Sequence, residues 1–145
     1  MNQDSESIAK SNQAWGQIVA DTFHELGIST VFFSPGSRST PLVLGFERHT
    51  EIECFPVLDE RSAAYLALGY SKRTQIPCVL LCTSGSAPTH WFPALTEANQ
   101  NSVPILVLSA DRPPELRDCG AGQTINQINI FGSFVRSFHE IGLPS

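Results

Sequence analysis

Two kinds of apolar pattern alternate along these 145 residues. Ala14, Trp15, Ile18, Val19, Phe23 and Leu26 recur at the three-and-four spacing that lays one stripe along an α-helix. Gly27 follows, where a glycine ends such a helix. A short extended run then covers 30–33 and is cut off by Ser34-Pro35-Gly36. A second helix is expected over 41–47 and a strand over 52–57. Asp59 then caps a helix whose apolar set is Ala63, Ala64, Leu66, Ala67 and Tyr70. Val79-Leu80-Leu81 reads as a buried strand, followed by a turn at 83–86 and a helix over 88–99. Ile105-Leu106-Val107-Leu108 is the next strand, broken by Ala110-Asp111-Arg112-Pro113-Pro114. A helix over 124–131 and a last extended segment at 135–139 complete the pattern.

Strands and helices take turns, and the strands are continuously apolar instead of alternating. That combination predicts an α/β fold, with a mostly parallel central sheet and helices on both faces. The pattern does not give the strand order. A chain of 145 residues fits a single domain spanning 1–145.

Composition narrows the function. Apolar residues make up 41% and charged residues 16%, so the chain is globular, and the low charge suggests a surface meant to be covered. The net charge is −5 and no run of Lys or Arg forms a basic stripe, which argues against nucleic acid and against a polybasic membrane anchor. No apolar stretch approaches the roughly 20 residues of a membrane helix. The polar start, MNQDSESIAK, is unlike a signal peptide, so a cytoplasmic location is expected. Cys78 and Cys82 sit four apart on one face of a strand, a Cα separation of about 13 Å, beyond the roughly 7 Å reach of a disulfide. With Cys54 and Cys119 they read as free thiols with no zinc spacing.

In open parallel sheets ligands bind outside the carboxyl ends of the strands. Four polar segments fall there: Ser34-Pro35-Gly36-Ser37-Arg38-Ser39, Asp59-Glu60-Arg61, Thr83-Ser84-Gly85-Ser86-Ala87, and Ala110-Asp111-Arg112-Pro113-Pro114-Glu115. Each has a plain structural reading as well as a functional one. The first is either an ordinary Pro-Gly turn or an anion loop in which Arg38 grips a carboxylate. Glu60 is either a surface residue favoured by the helix dipole or an active-site carboxyl. Thr83 to Ser86 form a turn or a binding loop, and Arg112 is an ion-pair partner or a substrate ligand.

Taken in order, S-P-G-S-R-S, D-E-R, T-S-G-S-A and A-D-R-P-P-E-L-R-D-C-G-A-G-Q resemble the 2-succinyl-5-enolpyruvyl-6-hydroxy-3-cyclohexene-1-carboxylate synthase family, the thiamine-diphosphate enzymes of menaquinone synthesis. The resemblance runs from about Trp15 to Pro144, and A-D-R-P-P-E-L is its most family-specific stretch. It implies the first of three α/β domains, the one that holds the aminopyrimidine of the cofactor. The diphosphate and its Mg2+ (or Mn2+) would be held by a last domain whose Gly-Asp-Gly…Asn signature this chain lacks, so no metal ligand is assigned here. Glu60 matches the glutamate that hydrogen-bonds the pyrimidine ring nitrogen and helps thiazolium C2 lose its proton, a role that favours a dry site. Pro35, Thr83, Ser84 and Gly85 match cofactor-side positions. Ser37, Arg38, Arg112 and Gln123 match positions around isochorismate, whose two carboxylates suit two arginines. Gly122 departs from the pattern, standing where some members carry a substrate-facing asparagine.

The resemblance further implies a transferase that decarboxylates 2-oxoglutarate and adds the succinyl unit to isochorismate, working as a homo-oligomer whose site forms between domains of different subunits. Two alternatives stay open: the same domain of another thiamine-diphosphate decarboxylase or carboligase, and a non-catalytic module without its partner domains.

Overall fold

The computed structural model describes residues 3–142. Helix α1 (Gln3–Glu25) leads to strand β1 (Thr30–Phe33), followed by α2 (Thr40–Arg48), β2 (Glu53–Pro56), α3 (Glu60–Thr74), β3 (Cys78–Cys82), α4 (Phe92–Gln100) and β4 (Ile105–Ser109). All strand pairs are parallel, in the order β2-β1-β3-β4. Residues Val31, Phe32 and Phe33 align with Val79, Leu80 and Leu81, so the two central strands end level with one another.

The twofold alternation of the central strands sorts the core into two layers. Val31, Phe33, Val79 and Leu81 pack with Ala20, Ile28 and Phe46 on the α1/α2 side. Phe32, Cys78, Leu80 and Cys82 pack with Ala63, Ala64, Ala67, Leu68, Trp91 and Leu95 on the α3/α4 side. Both faces are covered, which is why β1 and β3 read as unbroken apolar runs. The outer strands are not sealed, and Phe55 and Leu106 remain exposed.

Helices α1 and α2 cross at two glycines. A Cβ on Gly45 would lie 2.2 Å from the carbonyl oxygen of Gly16, and one on Gly16 would lie 2.2 Å from that of Pro41. Asp59 caps α3 as expected, accepting the Ser62 backbone N–H at 2.9 Å.

The structure departs from the sequence pattern in several places. Helix α1 begins at Gln3, well before the apolar stripe starts at Ala14. Residues 6–10 of that first stretch are exposed, and a Glu6–Lys10 pair at 3.1 Å, with the acid N-terminal to the base, supports the helix there. The helix expected over 88–99 is instead a 3-10 turn at Ala87–Trp91 followed by α4, because Pro93 lies in the first turn of α4, where its missing N–H costs nothing. Segment 124–131 is not helical and 135–139 is not a strand. Positive φ at Gln123 (58°), Asn129 (48°) and Gly132 (51°) turns the chain repeatedly there, and only a 3-10 turn at Gly132–Phe134 forms. Leu66, counted with the apolar face of α3, is half exposed.

All four cysteines are free. Cys78 and Cys82 are buried, and burial pushes both thiols above the ordinary value of 9.0, with the charge of Glu60 adding to the effect at Cys82. Cys54 is part-buried and is raised to about 11 by burial and then by Glu47. At neutral pH a thiol-reactive dye is expected to label exposed Cys119 quickly, Cys54 slowly, and Cys78 and Cys82 only on unfolding. The same shifts give a pH dependence. The unfolded chain releases these protons near 9.0 while the fold retains them, so this contribution to stability is complete below pH 9. It is lost as the pH rises through about 11, where Cys54 ionises in the fold. Mass-spectrometric labelling at pH 7 and thermal melts at pH 8 to 11 check both.

Candidate functional site

The chain leaves β1 toward α2 on one face of the sheet and leaves β3 toward α4 on the other. Two neighbouring strands whose exits diverge open a crevice at their carboxyl ends. The loops that line it are held close. Ser34 donates its backbone N–H to Leu81 O at 2.9 Å, and Gly36 lies so near Thr83 that a Cβ there would sit 2.4 Å from the Thr83 Cβ. Only a residue without a side chain fits that contact.

A cleft of about 250 Å³ opens at this edge, lined by Glu60, Thr83, Ser84, Ser86, Ala87, His90 and Gln123. Glu60 reaches it from the first turn of α3, immediately after the Asp59 cap. Glu60 is half-buried, and its charge adds to the burial that already pushes the Cys82 thiol up. The dry setting expected for Glu60 is therefore not present in this chain, since Ser86, His90 and Gln123 at the rim are exposed. Thr83 Oγ1 and Ser34 Oγ are buried with no hydrogen-bond partner among the described residues. Buried hydroxyls left unpaired are costly, so their clustering beside the crevice marks a place where a polar ligand or water would be stabilised.

The segment after β4 folds over the cleft. Gln123, in the left-handed region at φ 58°, donates from Nε2 to Ser84 O at 3.2 Å, and Ser84 Oγ donates back to Gln123 O at 3.1 Å. Gly85 takes φ 82° beneath it, where a Cβ would approach Gln123 Cγ to 2.9 Å. Arg112 is fastened nearby: its backbone N–H donates to Asp111 Oδ1 at 2.7 Å, and its Nη2 donates to Gly122 O at 3.3 Å. Arg117 in turn bridges Asp111 and Glu140.

Of the residues singled out from sequence, Glu60, Thr83, Ser84 and Gln123 line one cleft, and Gly85 supports it through the backbone. Exposed Pro35 precedes the Gly36–Thr83 contact. Ser37 and Arg38 lie exposed on the 3-10 turn Ser37–Ser39 that follows. Neither Arg38 nor Arg112 lines the cleft. The first stands on the loop beside it, and the second is occupied with Gly122 O. Nothing lies within 4 Å of a Cβ built on Gly122, so the space that an asparagine would fill there is open. Sequence reasoning placed Ser86 in the loop after β3 without a role of its own and missed His90. His90 lies on the 3-10 turn Ala87–Trp91, which carries no periodic signature.

Comparisons with known proteins bear on the family and the fold. Residues 14–130 match the family described as thiamine pyrophosphate enzyme, N-terminal TPP binding domain. A 2-succinyl-5-enolpyruvyl-6-hydroxy-3-cyclohexene-1-carboxylate synthase from Gloeothece citriformis is 50% identical over 134 residues, covering 92% of this chain and 23% of that protein. The enzyme of the same name from Trichodesmium erythraeum is 50% identical over the same shares. The chain thus spans less than a quarter of the length of these relatives. Among solved structures, benzoylformate decarboxylase from Polynucleobacter necessarius superposes with a TM-score of 0.71 at 22% identity, over 83% of this chain and 22% of that one. That likeness is one of fold.

Proposed function

Because the chain belongs to the family of N-terminal TPP-binding domains of thiamine pyrophosphate enzymes, we propose that it is the pyrimidine-holding domain of a synthase that decarboxylates 2-oxoglutarate and adds the succinyl unit to isochorismate. The observation that carries this reading is the convergence of Glu60, Thr83, Ser84 and Gln123 on one cleft at the switch between β1 and β3, in a chain half identical to synthases of that name.

The cleft suits the aminopyrimidine end of thiamine diphosphate. It offers one carboxylate, several hydroxyls and an amide, together with the unpaired Thr83 Oγ1. It does not suit the diphosphate end, because no Lys or Arg is among the lining residues. In this reading the diphosphate and its Mg2+ are held outside this chain. When bound, the cofactor supplies an acidic carbon at thiazolium C2 that carries the decarboxylation chemistry. Glu60 would hold a proton against the pyrimidine ring nitrogen, a hydrogen bond that strengthens once water is excluded. Thr83, Ser84 and Gly85 would form the wall against the ring. Arg38 and Arg112 would pair with the carboxylates of the acceptor, Arg112 after leaving Gly122 O, and Ser37 and Gln123 would add hydrogen bonds.

The half-buried state of Glu60 also fits a surface completed by another domain or subunit, as do Leu58, Tyr65 and Leu66, all exposed on or just before α3. A homo-oligomer of the complete protein is part of this proposal.

The complete protein, given thiamine diphosphate, Mg2+, 2-oxoglutarate and isochorismate, is expected to release CO2 and form the succinylated product. Release of CO2 from benzoylformate but not from 2-oxoglutarate would replace this substrate assignment with another. The 145-residue chain alone is expected to bind the cofactor weakly, because the diphosphate carries most of the ligand's charge and the cleft offers it no cation. Calorimetric titration of the chain with cofactor and Mg2+ measures this, and a low-micromolar dissociation constant would contradict the division of the site between two halves.

A further inference from the structure

We infer that Gln127 is a positioning residue that fixes the Ser84-Gly85 wall of the cleft and ties it to the loop carrying Arg112. Gln127 is 6% exposed, and every polar atom of its side chain is engaged. Its Oε1 accepts the Gly85 backbone N–H at 2.8 Å. Its Nε2 donates to Ala110 O at 3.0 Å and to Ser109 Oγ at 3.3 Å. One amide thus joins three segments: the loop after β3, the loop after β4, and the turn that brings Gln123 over the cleft four residues earlier. Only one orientation of the amide serves all three partners, since the oxygen must face an N–H and the nitrogen a carbonyl.

The partners are what separate this from ordinary core satisfaction. Gly85 lies between Ser84 and Ser86, both of which line the cleft. It adopts a left-handed conformation with the main chain of Gln123 against it. Ala110 directly precedes Asp111 and Arg112, and its own N–H donates to Cys82 O at 3.0 Å. The carboxyl ends of β3 and β4 are thereby linked once through the main chain and once through Gln127. A buried amide with all its hydrogen bonds made rigidifies its surroundings, whereas one left half satisfied is costly. Removing it frees Gly85 to move away from the cleft and loosens the approach to Arg112.

What Gln127 positions is taken to be the pyrimidine wall, so the inference rests on the function proposed above, and two readouts separate the two claims. Gln127→Met keeps the volume and loses every bond. Gln127→Glu keeps the acceptor for Gly85, and only its protonated form can also donate to Ala110 O. On the chain itself, amide exchange followed by NMR should show Gly85 about tenfold faster in Gln127→Met, the factor expected for loss of one hydrogen bond of typical net strength. Val79 and Leu80, inside β3, should be unchanged. In Gln127→Glu, Gly85 should stay protected at every pH, because a carboxylate accepts its N–H more strongly than an amide does. Protection of the Ala110 N–H should fall as the new carboxyl ionises and the donation to Ala110 O is lost, after correction for intrinsic exchange. If Gln127→Met does not fold, that pH profile carries the test alone. In the complete protein, Gln127→Met should weaken thiamine diphosphate binding about tenfold, and Gln127→Glu should recover it at low pH. Gly85 exchange at the wild-type rate in Gln127→Met, or a flat Ala110 pH profile in Gln127→Glu, would overturn the inference. So would a loosened Gly85 with cofactor affinity intact. A wild-type protein that binds no cofactor would refute the functional proposal instead, with the exchange of Gly85 still deciding what Gln127 holds.

Discussion

Replacing Glu60 with Gln in the complete protein is expected to lower turnover by roughly 10²–10⁴, the usual effect of removing a catalytic acid–base group, while leaving the fold nearly as stable. The substitution keeps the length and shape of the side chain. It removes the ability to exchange a proton with a ring nitrogen, because an amide neither gives nor takes one readily near neutral pH. Stability should change little for a local reason. Asp59, not Glu60, caps α3 by accepting the Ser62 N–H, so Glu60 contributes only its favourable placement at the positive end of the helix dipole. That placement is worth at most about 2 kcal/mol at a half-buried site. A large fall in rate with a shift in melting temperature of a few degrees is therefore the expected result. Steady-state assays and thermal melts on the same preparations check it. Near-normal turnover with a lowered melting temperature would make Glu60 a surface helix residue and nothing more.

The second large effect concerns the scaffold. Gly45→Ala should destabilise the chain by about 3 kcal/mol, at the upper end of the usual range for overpacking. The new methyl group would lie 2.2 Å from the carbonyl oxygen and 2.4 Å from the carbonyl carbon of Gly16. Those are backbone atoms of a helix, which cannot rotate aside as a side chain does, so α1 and α2 must separate. The gain in helix propensity from Gly to Ala, about 1 kcal/mol, is too small to offset this. Gly69→Ala provides the opposite case. Gly69 lies on the exposed face of α3 with nothing within 4 Å of a built Cβ, so the same substitution should stabilise the chain by up to about 1 kcal/mol. Denaturant titration of both variants should give opposite signs, and two changes of the same sign would contradict the close α1–α2 crossing.

Much of this architecture is legible in the residues because burial leaves a local mark. Val79, Leu80 and Leu81 form an unbroken apolar run since both faces of β3 are covered, and Asp59 announces its helix through the short side chain that caps it. The loops at the carboxyl edge are visible as polar interruptions. The strand order is not, because an apolar run records how deeply a strand is buried and not which strand lies beside it. The pattern also misleads at 124–131. Ile125, Ile128 and Phe131 have helical spacing, yet only Phe131 is buried while Ile125 and Ile128 are exposed. Positive φ at Gln123 and Asn129 and the bonds from Gln127 to three distant groups decide the conformation there, and those are tertiary. The site divides in the same way. Glu60, Thr83 and Ser84 were readable from their loops, whereas His90 reaches the cleft only through a 3-10 turn. Arg38 and Arg112 were readable as candidate ligands, but their places outside the cleft lining follow from hydrogen bonds that no spacing reveals.

The central claim is that this cleft holds the pyrimidine of thiamine diphosphate against Glu60. Exchange of the cofactor's C2 proton for deuterium, followed by quenched-flow NMR on the complete protein, tests it most directly because the readout is the proton transfer that Glu60 would promote, before any substrate is involved. The account predicts exchange far faster with the wild-type protein than with free cofactor, and slowed by roughly 10²–10⁴ in Glu60→Gln. Exchange at the same rate in wild type and Glu60→Gln, with both proteins folded and cofactor bound, would contradict it.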